Sequence, residues 1–319
     1  MERINSFKNG LTNPYAIPVN IFANAAVEVE KQAIAELQGL LRLQETLDRI
    51  QQTDPDFFGC PVSIDQVAVT PDFHKGSGIP IGTTLRTSGF VLPQAIGKDI
   101  NCGMRLYVTD VPEEKIRAKL PELTKRIRHV YFEGGRQLPL SPQQKKALLQ
   151  YGLRGLLETY RDTNSEGLWK FYDAVQQEKD LKHVIDQGSL QTDGIFSGLE
   201  NYTKIDYTSY DAQLGSIGGG NHFVEVQRVA EIFDGATAYA WGLKKDAVVV
   251  MIHTGSVSVG YPTAVEIANL LRKIYPPTLK FPENGILPLP LSEKYEAAGK
   301  HFFTGLHNAA NFAFANRMF

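Results

Sequence analysis

Long apolar runs are missing from this 319-residue sequence. None approaches the ~18 residues that a membrane-spanning helix needs. The opening Met1-Glu2-Arg3-Ile4-Asn5 has no apolar core of the secretory-signal kind. Cysteine is scarce: Cys60 and Cys102 are the only two, too few for a disulfide framework, so a reducing cytoplasm is the expected compartment and no membrane partner is expected. Neither sign of charge is in excess, with 33 Lys and Arg against 35 Asp and Glu and a formal net charge of −2. That balance removes any global electrostatic pull toward nucleic acid and leaves only local basic patches for the purpose. Repeats and low-complexity linkers are also absent. What is present is a globular composition, 43% hydrophobic, in a chain long enough to bury a core without disulfides or a structural metal.

Hydrophobic periodicity orders the chain. From about Ala26 to Ile50, the residues Ile34, Leu37, Leu40, Leu41, Leu47 and Ile50 recur three and four apart, which predicts a helix broken by Thr53-Asp54-Pro55-Asp56. Residues 62–69 alternate toward a strand, and residues 90–92 and 104–108 are further short strands, with loops rich in glycine and proline between them. Residues 112–205 read as a helical insert, with helices predicted over 112–130, 142–159 and 167–185. Residues 223–226 alternate, residues 247–252 form the continuous apolar run of a buried strand, and a last helix runs from Phe302 to Phe319. The expected fold is α+β, mixed β-sheets with packed helices, in a single domain over residues 1–319 that carries the insert. The last helix carries no capping glycine or following proline, which a frayed terminal helix also shows.

Four loops hold residues able to do chemistry. Pro71-Asp72-Phe73-His74-Lys75-Gly76 follows a strand and sets Asp72 and His74 at a sheet edge. In Gly97-Lys98-Asp99-Ile100-Asn101-Cys102-Gly103, Asp99 and Cys102 are three apart, so a tight turn lets a carboxylate and a thiolate converge, a pair suited to a divalent transition metal. Gly218-Gly219-Gly220-Asn221-His222-Phe223-Val224-Glu225 combines a glycine loop, whose amides can cradle an anion, with polar groups entering a strand. His253-Thr254-Gly255-Ser256 places an imidazole at the tip of the apolar strand. The same loop has no G-x-S-x-G elbow and so argues against a serine hydrolase. Asp99, Cys102, His222 and His253 together form a donor set for one metal, or for two bridged by the thiolate, and such sites clamp phosphoryl oxygens.

These stretches, with Asn308-Ala309-Ala310-Asn311-Phe312-Ala313-Phe314-Ala315-Asn316-Arg317, resemble the RtcB family of RNA ligases. The D-x-N-C-G and G-N-H-F-x-E pieces carry most of the likeness, which runs from about residue 25 to the last residue. The resemblance implies joining of RNA ends bearing a 2′,3′-cyclic phosphate or 3′-phosphate to 5′-hydroxyl ends, with GTP and two manganese ions. The route it implies is a guanylylated histidine followed by an RNA-guanylate intermediate. Affinity order favours zinc in such a donor set, so Zn2+ is the alternative ion. By position, Asp99, Cys102, His222 and His253 match metal ligands with the cysteine bridging, Asn221, His222, Phe223, Val224 and Glu225 match the guanylate-contacting segment, and Asp72 and His74 match a supporting motif. An archease-type activator is an implied partner.

Three departures stand beside the match. None of the seven histidines lies in the Ser-His-Gly-x-Gly context of the guanylylated residue. From the resemblance, that residue and a third metal-binding histidine are expected beyond Phe319, which leaves this chain without a catalytic histidine of its own and the domain incomplete at its C-terminus. Val257 follows His253-Thr254-Gly255-Ser256 where the family usually has arginine, and the usually basic stretch before Leu214 is here Tyr207-Thr208-Ser209-Tyr210-Asp211-Ala212-Gln213. Both changes remove phosphate contacts that depend on Arg and Lys. Two alternatives therefore accompany the ligase: a metal- and guanine-nucleotide-binding paralogue that does not ligate, and a metal-dependent hydrolase that opens cyclic phosphates.

Overall fold

The computed structural model describes residues 3–4, 13–23, 27–133, 135–161 and 166–319. Two compact units emerge, Met1–Gly97 with Ala264–Phe302 and Lys98–Thr263 with Phe303–Phe319. The arrangement is α+β, with several small sheets and packed helices. Among the described residues, no helix is long and apolar enough to cross a membrane.

The first unit opens with β1 (Arg3–Ile4), β2 (Val19–Phe22), α1 (Lys31–Leu41), α2 (Leu43–Thr53), β3 (Ser63–His74), β4 (Ile81–Ser88), β5 (Phe90–Val91) and α3 (Pro93–Ile96). Strands β1-β2-β3-β4 form a mixed sheet in which β2 and β3 run parallel and the other neighbours antiparallel. The helix expected over 26–50 is two helices joined at Arg42, which keeps right-handed helical angles. Their three-and-four spacing buries Leu37, Leu40, Leu41, Leu47 and Ile50 completely. Each such side chain contributes about 1.5–3 kcal/mol by leaving water.

The second unit carries β6 (Gly103–Pro112), α4 (Glu113–Arg117), α5 (Leu120–Phe132), β7 (Pro139–Leu140), α6 (Pro142–Thr159), α7 (Ala174–Asp180), α8 (Glu200–Thr203), β8 (Ser209–Tyr210), β9 (Phe223–Arg228), α9 (Gly235–Ala240), β10 (Ala247–Thr254) and the start of α10 (Val257–Ile274), whose residues from Ala264 on belong to the first unit. The helix expected over 167–185 is shorter: a 3-10 turn occupies Gly167–Phe171, and α7 begins only where Asp173 caps it through the Gln176 amide. α6 starts on a capping box, Ser141 with Gln144, and bends at Gly152, whose φ of 59° a side chain would resist. After α10 come β11 (Leu289–Pro290), paired with β5, and α11 (Glu296–Asn316). α11 starts six residues before the expected Phe302. Its buried asparagines tie neighbouring backbone to the helix: Asn308 donates to the Leu149 and Gly194 carbonyls, and Asn311 to those of Leu149 and Leu190.

The sheet that matters for chemistry is β6-β10-β9, antiparallel throughout with the apolar run at its centre. Its register pairs Thr254 with Gly103 and His253 with both Met104 and Phe223. That register brings three sequence-distant points to one end of the sheet: the residue before β6, the residue before β9, and the penultimate residue of β10. These are Cys102, His222 and His253.

Candidate metal centre

The Asp99 loop folds back on itself. The Cys102 amide donates to the Asp99 carbonyl at 3.2 Å, and Asn101 sits at φ 55°, a left-handed conformation that asparagine tolerates better than most residues. The turn delivers the Asp99 carboxylate and the Cys102 thiol to the sheet end, where one ligand atom each from Asp99, Cys102 and His222 lie within 4.8 Å of one another. Cys102 Sγ is 3.3 Å from His222 Nε2 and 3.1 Å from His253 Nε2. The two imidazole centroids are 5.4 Å apart, and the Phe223 ring packs against His253 at 5.3 Å. The thiol is thus shared: it belongs to the compact triad and also touches His253.

Two glycines make this approach possible. A Cβ on Gly255 would stand 2.5 Å from Asp99 Oδ1, and a Cβ on Gly218 would stand 2.4 Å from His222 Nδ1. Asp99 Oδ1 accepts the Val257 amide at 3.0 Å. Oδ2 meets His222 Nε2 in an ion-pair contact at 2.7 Å, and Oδ2 and His222 Nδ1 are both buried with no hydrogen-bond partner. Unpartnered buried polar atoms are uncommon and call for an explanation such as an ion.

The electrostatics are those of a donor set. Although one edge of Cys102 faces solvent, the atoms packed around its thiol, and then the Asp99 carboxylate, push it up to about 12. Burial, and then the neighbouring His222, pull His253 below its ordinary value, so its ring is neutral with a lone pair to give. Atoms ligating one ion through bonds of about 2.0–2.3 Å stand roughly 3–4 Å apart, close to the spacing measured here. Carboxylate, thiolate and imidazole suit a divalent transition ion.

Other expected residues have different surroundings. Asn221 and Glu225 are exposed beside this centre, and Glu225 accepts a hydrogen bond from Gln227 at 2.6 Å. Val224 points to the opposite sheet face from Phe223 and Glu225, as strand alternation requires. Asp72 and His74 lie in the first unit at the end of β3, where His74 Nδ1 is 2.7 Å from the Asp72 carbonyl and 3.6 Å from its carboxylate. The loop that follows has its amides filled by carboxylates of the same unit: Gly76 and Gly78 donate to Glu36, and Lys75 to Glu30. Sequence reasoning missed the role of Val257, whose main-chain N–H orients Asp99. Its φ of 43° is a left-handed angle that a β-branched residue rarely adopts.

An α+β protein with an acid, a thiol and two imidazoles gathered at one sheet end is therefore a candidate metalloprotein. This chain belongs to the RtcB family: the family described as tRNA-splicing ligase RtcB matches residues 57–319. A tRNA-splicing ligase RtcB of Pyrobaculum aerophilum is 31% identical over 260 residues, 78% of this chain and 49% of that protein. That of Methanococcus maripaludis is 32% identical over 254 residues, 77% of this chain and 48% of the relative. That of Nanoarchaeum equitans is 32% identical over 265 residues, 81% and 50% respectively. The chain spans about half the length of the curated relatives it matches.

Proposed function

We propose that this chain carries the metal centre of an RtcB-type RNA ligase, which joins 3′-phosphate or 2′,3′-cyclic-phosphate RNA ends to 5′-hydroxyl ends at the expense of GTP. The observation that supports the reading most is the convergence of Asp99, Cys102, His222 and His253 through three separate loops. Asp99, Cys102 and His222 would hold one divalent ion, and Cys102 with His253 would contribute to a second, manganese by family and zinc by affinity order. Such ions supply charge neutralisation at a transferring phosphoryl and a lowered pKa for an attacking hydroxyl. The chain's own residues do the rest. Val257 N–H holds Asp99 in place. Phe223 buttresses His253. Asn221 and Glu225, both exposed, would hydrogen-bond a guanine nucleotide on this reading.

Val257, in place of arginine, favours a second reading, in which metal and guanine nucleotide bind without ligation. One experiment addresses both. The manganese-loaded chain is offered an RNA with a 3′-phosphate and a 5′-hydroxyl end, with GTP. Binding by the parent and not by Cys102→Ala supports the metal reading, and equal binding by both contradicts it. Nucleotide bound without joining is the outcome both readings expect of a chain none of whose histidines lies in the Ser-His-Gly-x-Gly context, whereas joined ends would overturn the second reading.

A further inference from the structure

Three segments must hold their donors in register for the metal reading to work, and of the donors only His253 lies in a regular element, the end of β10. The structure offers one device that spans all three. At the end of α11, Asn316 and Arg317 are 2% and 4% exposed, and their side chains point their hydrogen bonds at these loops. Asn316 Nδ2 donates to the Ser216 carbonyl at 3.0 Å and to the Gly255 carbonyl at 2.9 Å, while its Oδ1 accepts the Ser216 amide at 2.9 Å. Arg317 Nη1 donates to the Asn101 carbonyl at 2.6 Å and the Thr254 carbonyl at 2.9 Å, and Nη2 donates to Asn101 Oδ1 at 3.2 Å.

The recipients are not scattered. Asn101 lies between Asp99 and Cys102. Thr254 and Gly255 follow His253. Ser216 opens the glycine loop that ends at His222. We propose, on the metal reading above, that Asn316 and Arg317 are positioning residues that lock the three ligand-bearing loops into one register and so set the affinity and geometry of the centre. Asn316 joins the His222 loop to the His253 loop, and Arg317 joins the His253 loop to the Asp99–Cys102 turn. Arginine suits the second task because its planar fork sends donors in fixed directions to two loops at once. A lysine ammonium keeps the charge but reaches such partners as a single point. The lysine variant therefore separates geometry from charge.

The test uses the full chain with Co2+ alone as probe. Co2+ titrations follow the thiolate-to-cobalt absorption, which reports ligation by Cys102, and unfolding of the metal-free protein is measured in parallel. Arg317→Lys and Asn316→Ala are expected to keep their secondary structure and to lose roughly 10- to 100-fold in Co2+ affinity, as removal of groups that orient metal ligands does, with a weakened thiolate band. Arg317→Lys with the parent's affinity and spectrum overturns the proposal. A variant that is unfolded before metal is added also counts against it, because a positioning role leaves the fold standing. A parent chain that binds no Co2+ removes the metal reading itself and the proposal with it, whereas a parent that binds and variants that bind equally remove the proposal alone.

Discussion

Asp99 Oδ2 meets His222 Nε2 in an ion-pair contact at 2.7 Å, and Oδ2 is buried with no hydrogen-bond partner. An acid and an imidazole so close would ordinarily share a proton. Here the atoms face one another within a triad that also includes the Cys102 thiol, and they converge as ligands of one cation do.

The first prediction concerns the shared thiol. Cys102 touches both imidazoles, so Cys102→Ala should lower uptake of divalent metal at both positions, where His253→Ala should spare the Asp99–His222 side. Equilibrium dialysis against Mn2+ checks this. Equal loss in the two variants argues that the thiol does not bridge.

Gly255 and Gly218 leave room for ligand atoms. Gly255→Ala would set a methyl 2.5 Å from Asp99 Oδ1, and Gly218→Ala one 2.4 Å from His222 Nδ1. Each is expected to weaken Co2+ binding by at least about tenfold, because a displaced ligand no longer meets the ion. Retained affinity in both, measured by titration, would show that the loops relax around the new methyl.

Acid should release the metal. The Cys102 thiol is pushed up to about 12, so it enters the centre protonated at neutral pH and gives up its proton on ligation. His253 is pulled below its ordinary value and adds no proton above it. Affinity should therefore rise about tenfold for each unit of pH between roughly 7 and 9. A flat profile over that window would show that the thiolate does not ligate.

Val257 holds a left-handed angle at φ 43°, which costs a β-branched residue on the order of 1–3 kcal/mol. Asparagine accepts that region more readily and keeps the main-chain N–H that Asp99 needs. Val257→Asn should raise the thermal midpoint by about 2–4 °C per kcal/mol recovered while leaving metal uptake intact. A lower midpoint would mean that the packing of the Val257 side chain outweighs the strain.

Local pattern made much of the fold legible. The apolar run over 247–252 is the central strand β10, and the three-and-four spacing of Leu37, Leu40 and Leu47 is a buried helical face. The break at Arg42 left no signal because its backbone stays helical. α10 went unrecognised because Gly260 and Pro262 sit in its first turns and hide the periodicity of Ile267 and Leu271. The candidate donors were legible as residue types, but their meeting depends on strand register, Thr254 opposite Gly103 and His253 opposite Phe223, which no local window contains. The tethering of all three loops by Asn316 and Arg317 is longer in range still, linking positions more than 200 residues apart between Asn101 and Arg317.

The central claim is that Asp99, Cys102, His222 and His253 hold a dinuclear centre. Electron paramagnetic resonance of the chain loaded with Mn2+, with bound metal counted after dialysis, tests it most directly. The account predicts two Mn2+ per chain with an exchange-coupled signal that Cys102→Ala abolishes. Uptake no greater than in Cys102→Ala, or only the spectrum of isolated ions, would contradict it.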